Sequence, residues 1–403
     1  MKFDGNFNIP DGKSYYELNI SFPSEQYSFN YPNSLEANRR VYLNMGNWSG
    51  NVDFPNGASQ LKITGSNALF NGNVNIPPSV TNCEGMLYEK SVFNKPVNIP
   101  DSVTNCCSFL SYGYNFDSPV SIGANVRNCY LMFEGCGNFN REVIIPEKVT
   151  DCTGMFRSCF NLNSDIVIGN AVTKASEMFF NCNNLGANVT LGASLFNCHN
   201  MFYHCMSLTN MPELPSNMND CSQMFEWAGY MTYDGGTVDI SNTVRNCYAM
   251  FNKAYYFNSP VNIGENVRNC KFMFAYGGMD SPVTIFGNNC DCSYMFANSG
   301  FNQSFNLPDD SNACQMFQHC NNLSADIRIG NNCQCQGMFF GCENFNFPVY
   351  IPESTVNVTA MFASCNKMDS AIFLPTNLFS EKYESNVLKL QWSQNARNQI
   401  VLY

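Results

Sequence analysis

The sequence predicts a repeat solenoid, in which each coil contains a short parallel β-strand and a short helical turn. The first observation is a Met-Phe pair that recurs every 23 residues, at Met132-Phe133, Met155-Phe156, Met178-Phe179, Met201-Phe202 and Met224-Phe225. The second is a short apolar run after each pair, such as Ile166-Val167-Ile168. A unit of this length cannot bury its apolar face alone, so successive units must stack.

The repeat extends well beyond these five pairs. It continues with the same anchor methionine at Met250, Met273, Met295, Met316, Met338 and Met361. Degenerate members precede it at Met86-Leu87 and Phe109-Leu110. We therefore predict a solenoid of about 13 repeats over residues 71–375, flanked by β-rich caps at both ends.

Residues 1–70 lack the period and form the first predicted region. Tyr15–Ile20 and Arg40–Leu43 have the composition of short strands, and Gly, Pro and Asn separate them. We expect this region to cap the open end of the solenoid or to serve as an attachment region. Residues 376–403 also lose the repeat, and Val387–Trp392 and Ile400–Tyr403 are predicted strands of a C-terminal cap.

One repeat unit shows where the helical turn is expected. Cys152, Met155, Phe156 and Cys159 follow the spacing i, i+3, i+4, i+7, which places four apolar groups on one face of a helical turn. Asp151 stands at the expected N-cap. The equivalent position in other units holds Asn128, Asn197, Asp220, Asn246 and Asn269.

The strand of each unit begins at an apolar residue and ends before Pro or Gly, neither of which suits a strand interior. Strands of successive coils are expected to pair in parallel, at about 4.8 Å spacing. A distorted strand is expected at Met211–Pro215, and a bulged loop near Tyr230–Gly236. The predicted strand anchors are Val97, Val120, Val143, Ile166, Val189, Val238, Val261, Val283, Phe305, Ile327, Val349 and Ile372.

The unit resembles a known family. Its successive motifs are Val-Thr-Asn-Cys-x-x-Met, Met-Phe-x-x-Cys-x-x-Phe/Leu-Asn and Val-x-Ile-Pro. They are similar to the BspA-like leucine-rich repeats of bacterial surface proteins, which also occur in mycoplasma lipoproteins. The resemblance covers about three quarters of the chain, although Cys stands where that family more often has Met. It implies a leucine-rich-repeat-like solenoid, adhesion or protein binding, and no catalytic residues.

Composition narrows the classes of partner. The formal net charge of −11 opposes binding to nucleic acid phosphates or to an anionic membrane surface. The chain contains no run of 18 apolar residues, so membrane insertion is not predicted. The 60 Asn residues among 403 are typical of turns and caps.

The 21 cysteines are expected to be reduced core residues rather than ligands or disulfides. Ten lie three residues before an anchor and seven lie four residues after one, where other units hold Ala, Gly or Ser. Zinc sites have a different spacing, so no metal and no cofactor is predicted. The three histidines, His199, His204 and His319, do not pair with a recurring nucleophile, and no catalytic residue is predicted.

A binding function is therefore the expectation. Ile144 with Val167, and Tyr350 with Phe373, occupy outward strand positions and form a candidate binding surface. We expect a non-enzymatic recognition rod on a virion, of the phage tail or fibre type. Its partners would be other particle proteins or a host-surface protein or glycan, and it could form an oligomer. The alternatives are a BspA-like cell-surface adhesin and an intracellular protein-binding scaffold.

Overall fold

The computed structural model describes residues 15–19, 39–44, 52–53, 57–64, 70–379 and 393–403. The chain forms two compact units, residues 1–195 and 196–403. Both consist of stacked coils whose short strands pair in parallel, so the predicted solenoid is confirmed. The division of the chain at residues 70 and 375 stays a prediction.

The first unit holds nine strands among the described residues. They are β1 Tyr15–Asn19, β2 Arg39–Asn44, β3 Val52–Asp53, β4 Ala58–Thr64, β5 Val74–Asn75, β6 Val97–Asn98, β7 Val120–Ser121, β8 Ile166–Val167 and β9 Val189–Thr190. β1, β2 and β4 form one parallel sheet, while β3 pairs with β5, β6 with β7 and β8 with β9. The strands predicted near Tyr15 and Arg40 are thus present.

The second unit holds eight strands and two short helices among the described residues. They are β10 Val238–Ile240, β11 Val261–Ile263, β12 Val283–Ile285, β13 Phe305–Asn306, β14 Ile327–Arg328, β15 Val349–Tyr350, β16 Ile372–Leu374 and β17 Ile400–Leu402, with α1 Thr376–Phe379 and α2 Gln394–Asn398. The parallel sheets are β10-β11-β12, β13-β14 and β15-β16-β17. The strand predicted at Val387–Trp392 lies outside the described residues.

The predicted strand anchors begin strands with one exception. No strand forms at Val143, although Val143 and Ile145 are buried and Ile144 is exposed, as in the neighbouring strands. The alternation of side chains is therefore kept, but no backbone ladder joins this segment to β7 or β8. Residues 211–215 also form no strand, in agreement with the distortion expected from the two prolines.

The segment predicted to be a helical turn is a chain of tight turns in each coil. The N–H groups of Met155 and Cys159 donate to carbonyls three residues back, at 3.0 Å. Those of Gly154 and Phe156 donate to the next coil, to the carbonyls of Ser176 and Met178 at 2.9 Å. In a helix every interior N–H group bonds to a carbonyl of the same helix, so a helix could not make these bonds between coils.

Residues with left-handed backbone conformation recur along this turn segment. Every repeat from Met86 to Met361 has a positive φ at the residue before the anchor and at the residue three after it. Gly154 and Ser158 are examples, at +59° and +58°. The apolar residues still meet on the inner side, because Met155 and Phe156 are fully buried.

The residues expected to be N-caps have a different role. Asp151 Oδ1 accepts the N–H of Thr153 at 3.0 Å, which makes a turn cap instead of a helix cap. The backbone of Asp151 also forms parallel bridges with Asn128 and Lys174 of the adjacent coils. This position therefore forms a second backbone ladder of the first unit.

The core consists of columns of identical residues. Phe133, Phe156 and Phe179 are parallel, with ring centroids 5.6 and 5.7 Å apart. The second unit repeats this arrangement at Phe251 and Phe274, 5.6 Å apart. Offset stacking of this kind adds to the gain from burial, so each coil stabilises the next one.

Candidate binding surface

The first predicted pair lies in the first unit. Val167 ends β8 and is exposed, with its neighbour Ile166 buried. Ile144 is also exposed but lies in the segment that forms no strand. The two side chains hold equivalent places in consecutive coils, and the role of this pair in binding stays a prediction.

The second predicted pair belongs to a row of three aromatic side chains in the second unit. Tyr350 and Phe373 are partners in the parallel register of β15 and β16, with ring centroids 6.3 Å apart. Tyr403 stacks on Tyr350 at 4.8 Å, and its hydroxyl donates to the carbonyl of Ile351 at 2.7 Å. Sequence reasoning missed Tyr403, because the step from β16 to β17 departs from the repeat length.

A larger group of rings lies on the turn segments of the second unit. We call it the aromatic surface; it consists of Trp227, Tyr230, Tyr255, Tyr256 and Tyr276. Tyr230 and Tyr256 are 58% and 60% exposed, and their rings stack with centroids 5.4 Å apart. Trp227 contacts Tyr255 edge-to-face at 6.3 Å. Exposed rings that contact one another form a pre-organised apolar surface.

A lysine lies between two rings of the aromatic surface. Lys253 Nζ lies 4.2 Å from the ring centroid of Trp227 and 5.9 Å from that of Tyr276. Trp227, Lys253 and Tyr276 all hold the third position after their anchor methionines, with φ of 62°, 59° and 57°. The repeated turn therefore brings the three side chains of successive coils together.

One carboxylate lies beneath this surface. Glu226 is 7% exposed and accepts hydrogen bonds from Gln223 Nε2 at 2.7 Å and Asn252 Nδ2 at 3.2 Å. Burial raises the pKa of Glu226, while the bond from Gln223 and the charge of Lys253 oppose the shift. These contacts hold the turn that carries Trp227.

The sequence contained little signal for the aromatic surface. The position that holds Trp227 and Tyr276 holds Gly135 and Asn181 in other coils, so no period marks it. Its only trace is the concentration of Tyr between residues 230 and 276.

The cysteines and histidines form no recognisable reactive centre among the residues that the structure describes. Most of the 21 cysteines are buried, and all are free thiols, as expected for core residues. His199 Nδ1 lies 2.8 Å from Ser222 Oγ, whose hydroxyl donates to Asp220 Oδ1 at 2.6 Å. Within the described ranges, no three His, Cys, Asp or Glu side chains gather in a way that would hold a metal ion.

The helices described here are also too short to cross a membrane.

Two solved structures resemble the chain. One is a leucine-rich repeat protein from Bacteroides ovatus, with 14% identity over 82% of this chain and 91% of that one and a TM-score of 0.47. The other is a leucine-rich cell surface protein from Faecalibacterium prausnitzii, with 17% identity, coverages of 79% and 85% and a TM-score of 0.37. No curated protein sequence matches the chain.

A family model matches most of the repeat region, in agreement with the resemblance found in the sequence. Its description is "Mycoplasma protein of unknown function, DUF285", and it matches four overlapping or successive segments, residues 73–166, 123–213, 193–280 and 290–377. These segments carry the coils described above. The chain therefore belongs to the DUF285 family of mycoplasma-type repeat proteins.

Proposed function

We propose that this protein is a non-enzymatic recognition module of the bacterial cell surface, which binds a partner protein through the aromatic surface. The observation that carries the proposal is the stack of Tyr230 on Tyr256, two exposed rings, together with the edge-to-face contact of Trp227 with Tyr255. Tyr and Trp are enriched at protein interfaces, because a rigid ring offers a large contact area at small entropic cost.

The proposal favours binding over catalysis because of the chemistry of the side chains gathered there. Rings and one lysine can anchor a partner, whereas covalent catalysis would need a nucleophile beside a base. The acidic charge of the chain favours a partner other than nucleic acid.

The proposed location is the cell surface, which was the alternative expectation, instead of a virion. The description of the family refers to mycoplasma, a cellular organism. Neither that description nor the two similar structures lends support to a phage particle.

Binding is tested with the full chain on a plated panel of host-surface proteins. We expect at least one protein to bind, and the variant Tyr230→Ser/Tyr256→Ser to bind it about tenfold more weakly or worse. Tyr114→Ser removes another exposed ring, in the first unit, and serves as the matched control. Absence of binding to every panel protein, or equal binding by the double variant, contradicts the proposal.

Location is tested separately, by protease treatment of intact producing cells. We expect the protein to be degraded without lysis. Protection in intact cells would favour the intracellular scaffold, and recovery of the full chain in purified phage particles would restore the virion assignment.

A further inference from the structure

A cleft of about 420 Å³ opens in the second unit where β10 and β11 end. Three consecutive coils contribute to it. The residues that matter for its chemistry are Asp239, Asn242, Asn262, Gly264, Glu265 and Phe286. Its volume lies within the range of small-molecule sites, about 300–1,000 Å³. It lies at the strand ends, on a different segment of the coil from the aromatic surface.

Phe286 departs from the repeat at this cleft. It follows β12 directly, and the same position after β10 and β11 holds Ser241 and Gly264. Other coils of this unit have Pro or Gly there, such as Pro308 and Gly330. The Phe286 side chain is nevertheless 63% exposed, so packing within the unit does not explain the ring.

The backbone of Phe286 is well held. Its N–H donates to the carbonyl of Ile263 at 3.0 Å. The ring therefore projects from a fixed point at the edge of the cleft, where it can cover an apolar face of a ligand.

The polar wall of the cleft is ordered by bonds between neighbouring coils. Asp239 Oδ1 accepts Asn262 Nδ2 at 2.8 Å. Asn242 Oδ1 accepts the N–H of Glu265 at 2.9 Å, and its Nδ2 lies 3.5 Å from Glu265 Oε1. Among the described residues, Asp239 Oδ2 and Glu265 Oε2 receive no hydrogen bond. The wall thus combines amide groups, which donate and accept, with carboxylate oxygens available to a ligand.

The floor of the cleft requires glycine. A Cβ on Gly264 would lie 2.7 Å from the carbonyl oxygen of Ser241 and 2.8 Å from both the carbonyl oxygen of Ile240 and Asn242 Oδ1. Since real Cβ atoms do not approach so closely, a side chain here would displace the wall.

The charged side chains of the cleft wall are two carboxylates, those of Asp239 and Glu265. Two guanidinium groups bind carbonyls of the same turns but do not line the cleft. Arg245 Nη1 lies 3.3 Å from the carbonyl oxygen of Asn242, and Arg268 Nη1 lies 2.8 Å from that of Glu265. The wall therefore disfavours an anion, while its amide groups and the exposed ring suit a neutral polar ligand.

We propose that this cleft binds a neutral saccharide. The C–H face of one sugar ring would lie on Phe286, and its hydroxyls would contact Asp239, Asn262 and Glu265. A hydroxyl both donates and accepts, which matches a wall of amides and carboxylates better than a purely cationic or anionic group does. The site is additional to the protein-binding role proposed above.

The test uses ligand-observed NMR and calorimetry on the full chain. The probes are the neutral oligomers maltohexaose, cellohexaose and N-acetylglucosamine tetramer, with polygalacturonate oligomer and decalysine as charged comparisons. We expect at least one neutral oligomer to bind with Kd on the order of 0.1–1 mM, as is usual for an open site.

Phe286→Ser should weaken this binding about tenfold or more, while Phe286→Trp should keep it. Serine is the residue that the chain itself has at the equivalent position 241, so the fold is retained, which circular dichroism checks. Tyr230→Ser/Tyr256→Ser is the matched control and should bind the oligomer normally. This control separates failure of the cleft from failure of the aromatic surface.

Three results overturn the proposal. One is that no neutral oligomer binds the full chain. The second is that Phe286→Ser binds as well as the unaltered chain. The third is binding of decalysine or polygalacturonate that depends on Phe286, which would assign the cleft to a charged partner.

Discussion

The cysteine four residues after each anchor has a defined hydrogen-bond partner. Cys159 Sγ lies 3.2 Å from the carbonyl oxygen of Phe133, and Cys182 Sγ lies 3.0 Å from that of Phe156. Burial raises the pKa of the Cys159 thiol well above its ordinary value, so the group remains a protonated donor. Cysteine here fills a small space in the core and also donates to the preceding coil, which Ala228 in the same position cannot do.

Lys90 is an unusual residue of the first unit, since its side chain is only 2% exposed. Its Nζ donates to the carbonyl of Tyr88 at 3.1 Å. Burial lowers the pKa of Lys90 from 10.5 to about 8, against an opposing effect of Glu89. The unfolded chain therefore binds this proton more tightly than the folded chain does, and stability rises as the pH increases from about 8 to 10.5.

Replacing Lys90 by methionine should remove this pH dependence. We expect Lys90→Met to raise the free energy of unfolding at pH 7 by on the order of 2 kcal/mol, because no buried charge must then lose its hydration. Urea unfolding at several pH values between 7 and 10.5 measures the effect. Lys148→Met, at an exposed site, is the control. Parallel pH profiles for Lys90→Met and the unaltered chain would refute the titration of Lys90.

At the scale of the element, the turn segment uses left-handed backbone in residues of many types. Such a conformation costs roughly 1–2 kcal/mol for a residue other than glycine. Leu131, Ala249 and Phe272 nevertheless adopt it, at 51°, 51° and 57°. The hydrogen bonds between coils compensate for this cost. Alternate N–H groups reach the next coil only when left-handed residues recur along the turn segment.

Two buried alanines of the second unit allow this cost to be measured. Ala249 has φ of 51°, whereas Ala275 has no positive φ. Glycine removes one buried methyl group at either site, but it relieves strain only at 249. We expect Ala275→Gly to lower the free energy of unfolding by roughly 1–2 kcal/mol and Ala249→Gly to change it little or raise it. Equal losses in chemical denaturation would contradict the account of strain.

Asparagine forms ladders along the first unit. Asn138 Nδ2 donates to Asn115 Oδ1 at 3.2 Å, and Asn161 and Asn184 each donate to the preceding member at 3.3 Å. A further set of Asn side chains accepts backbone N–H groups one coil on, as Asn140 Oδ1 accepts that of Asn163 at 2.9 Å. The high Asn content thus has a structural role between coils, beyond the turns predicted from the sequence.

At the scale of the whole molecule, burial controls the chemistry of the thiols. Among the 21 cysteines, Cys107 and Cys314 alone are partly exposed. Cys270, Cys290 and Cys292 contact one another. Their mutual hydrogen bonds, together with burial, raise the pKa of Cys270 and Cys292, and the same bonds lower the pKa of Cys290 to about 5. Such buried thiols stay reduced even in an oxidising environment, because oxidants reach few of them.

Maleimide labelling of the folded chain tests this view. We expect Cys107 and Cys314 to react first, and the other cysteines to react only after denaturation, because maleimide cannot reach the buried thiols. Intact mass spectrometry counts the labels, and Cys107→Ser/Cys314→Ser should abolish the early phase. Rapid labelling of many thiols in the folded chain would contradict the burial of the cysteine columns.

Much of the fold could be predicted from the sequence, while most of the candidate sites could not. The strand anchors and the buried Met and Phe columns follow from identical residues at a fixed step. Tyr350 and Phe373 were also predictable as outward partners. The aromatic surface and the cleft beside Phe286 were not, because they arise where coils differ from the repeat.

The sequence by itself determined the period, the positions of the strands and the inward side chains, because each of these is repeated in residue identity from coil to coil. Only the tertiary structure decided that Met155 and Phe156 lie in a chain of turns. A helix and such turns both bring residues three and four apart to one side, and the bonds from Gly154 and Phe156 to the next coil distinguish the two. The tertiary structure likewise decided which exceptional side chains meet, since contact between Tyr230 and Tyr256 depends on the stacking of coils and not on their order in the chain.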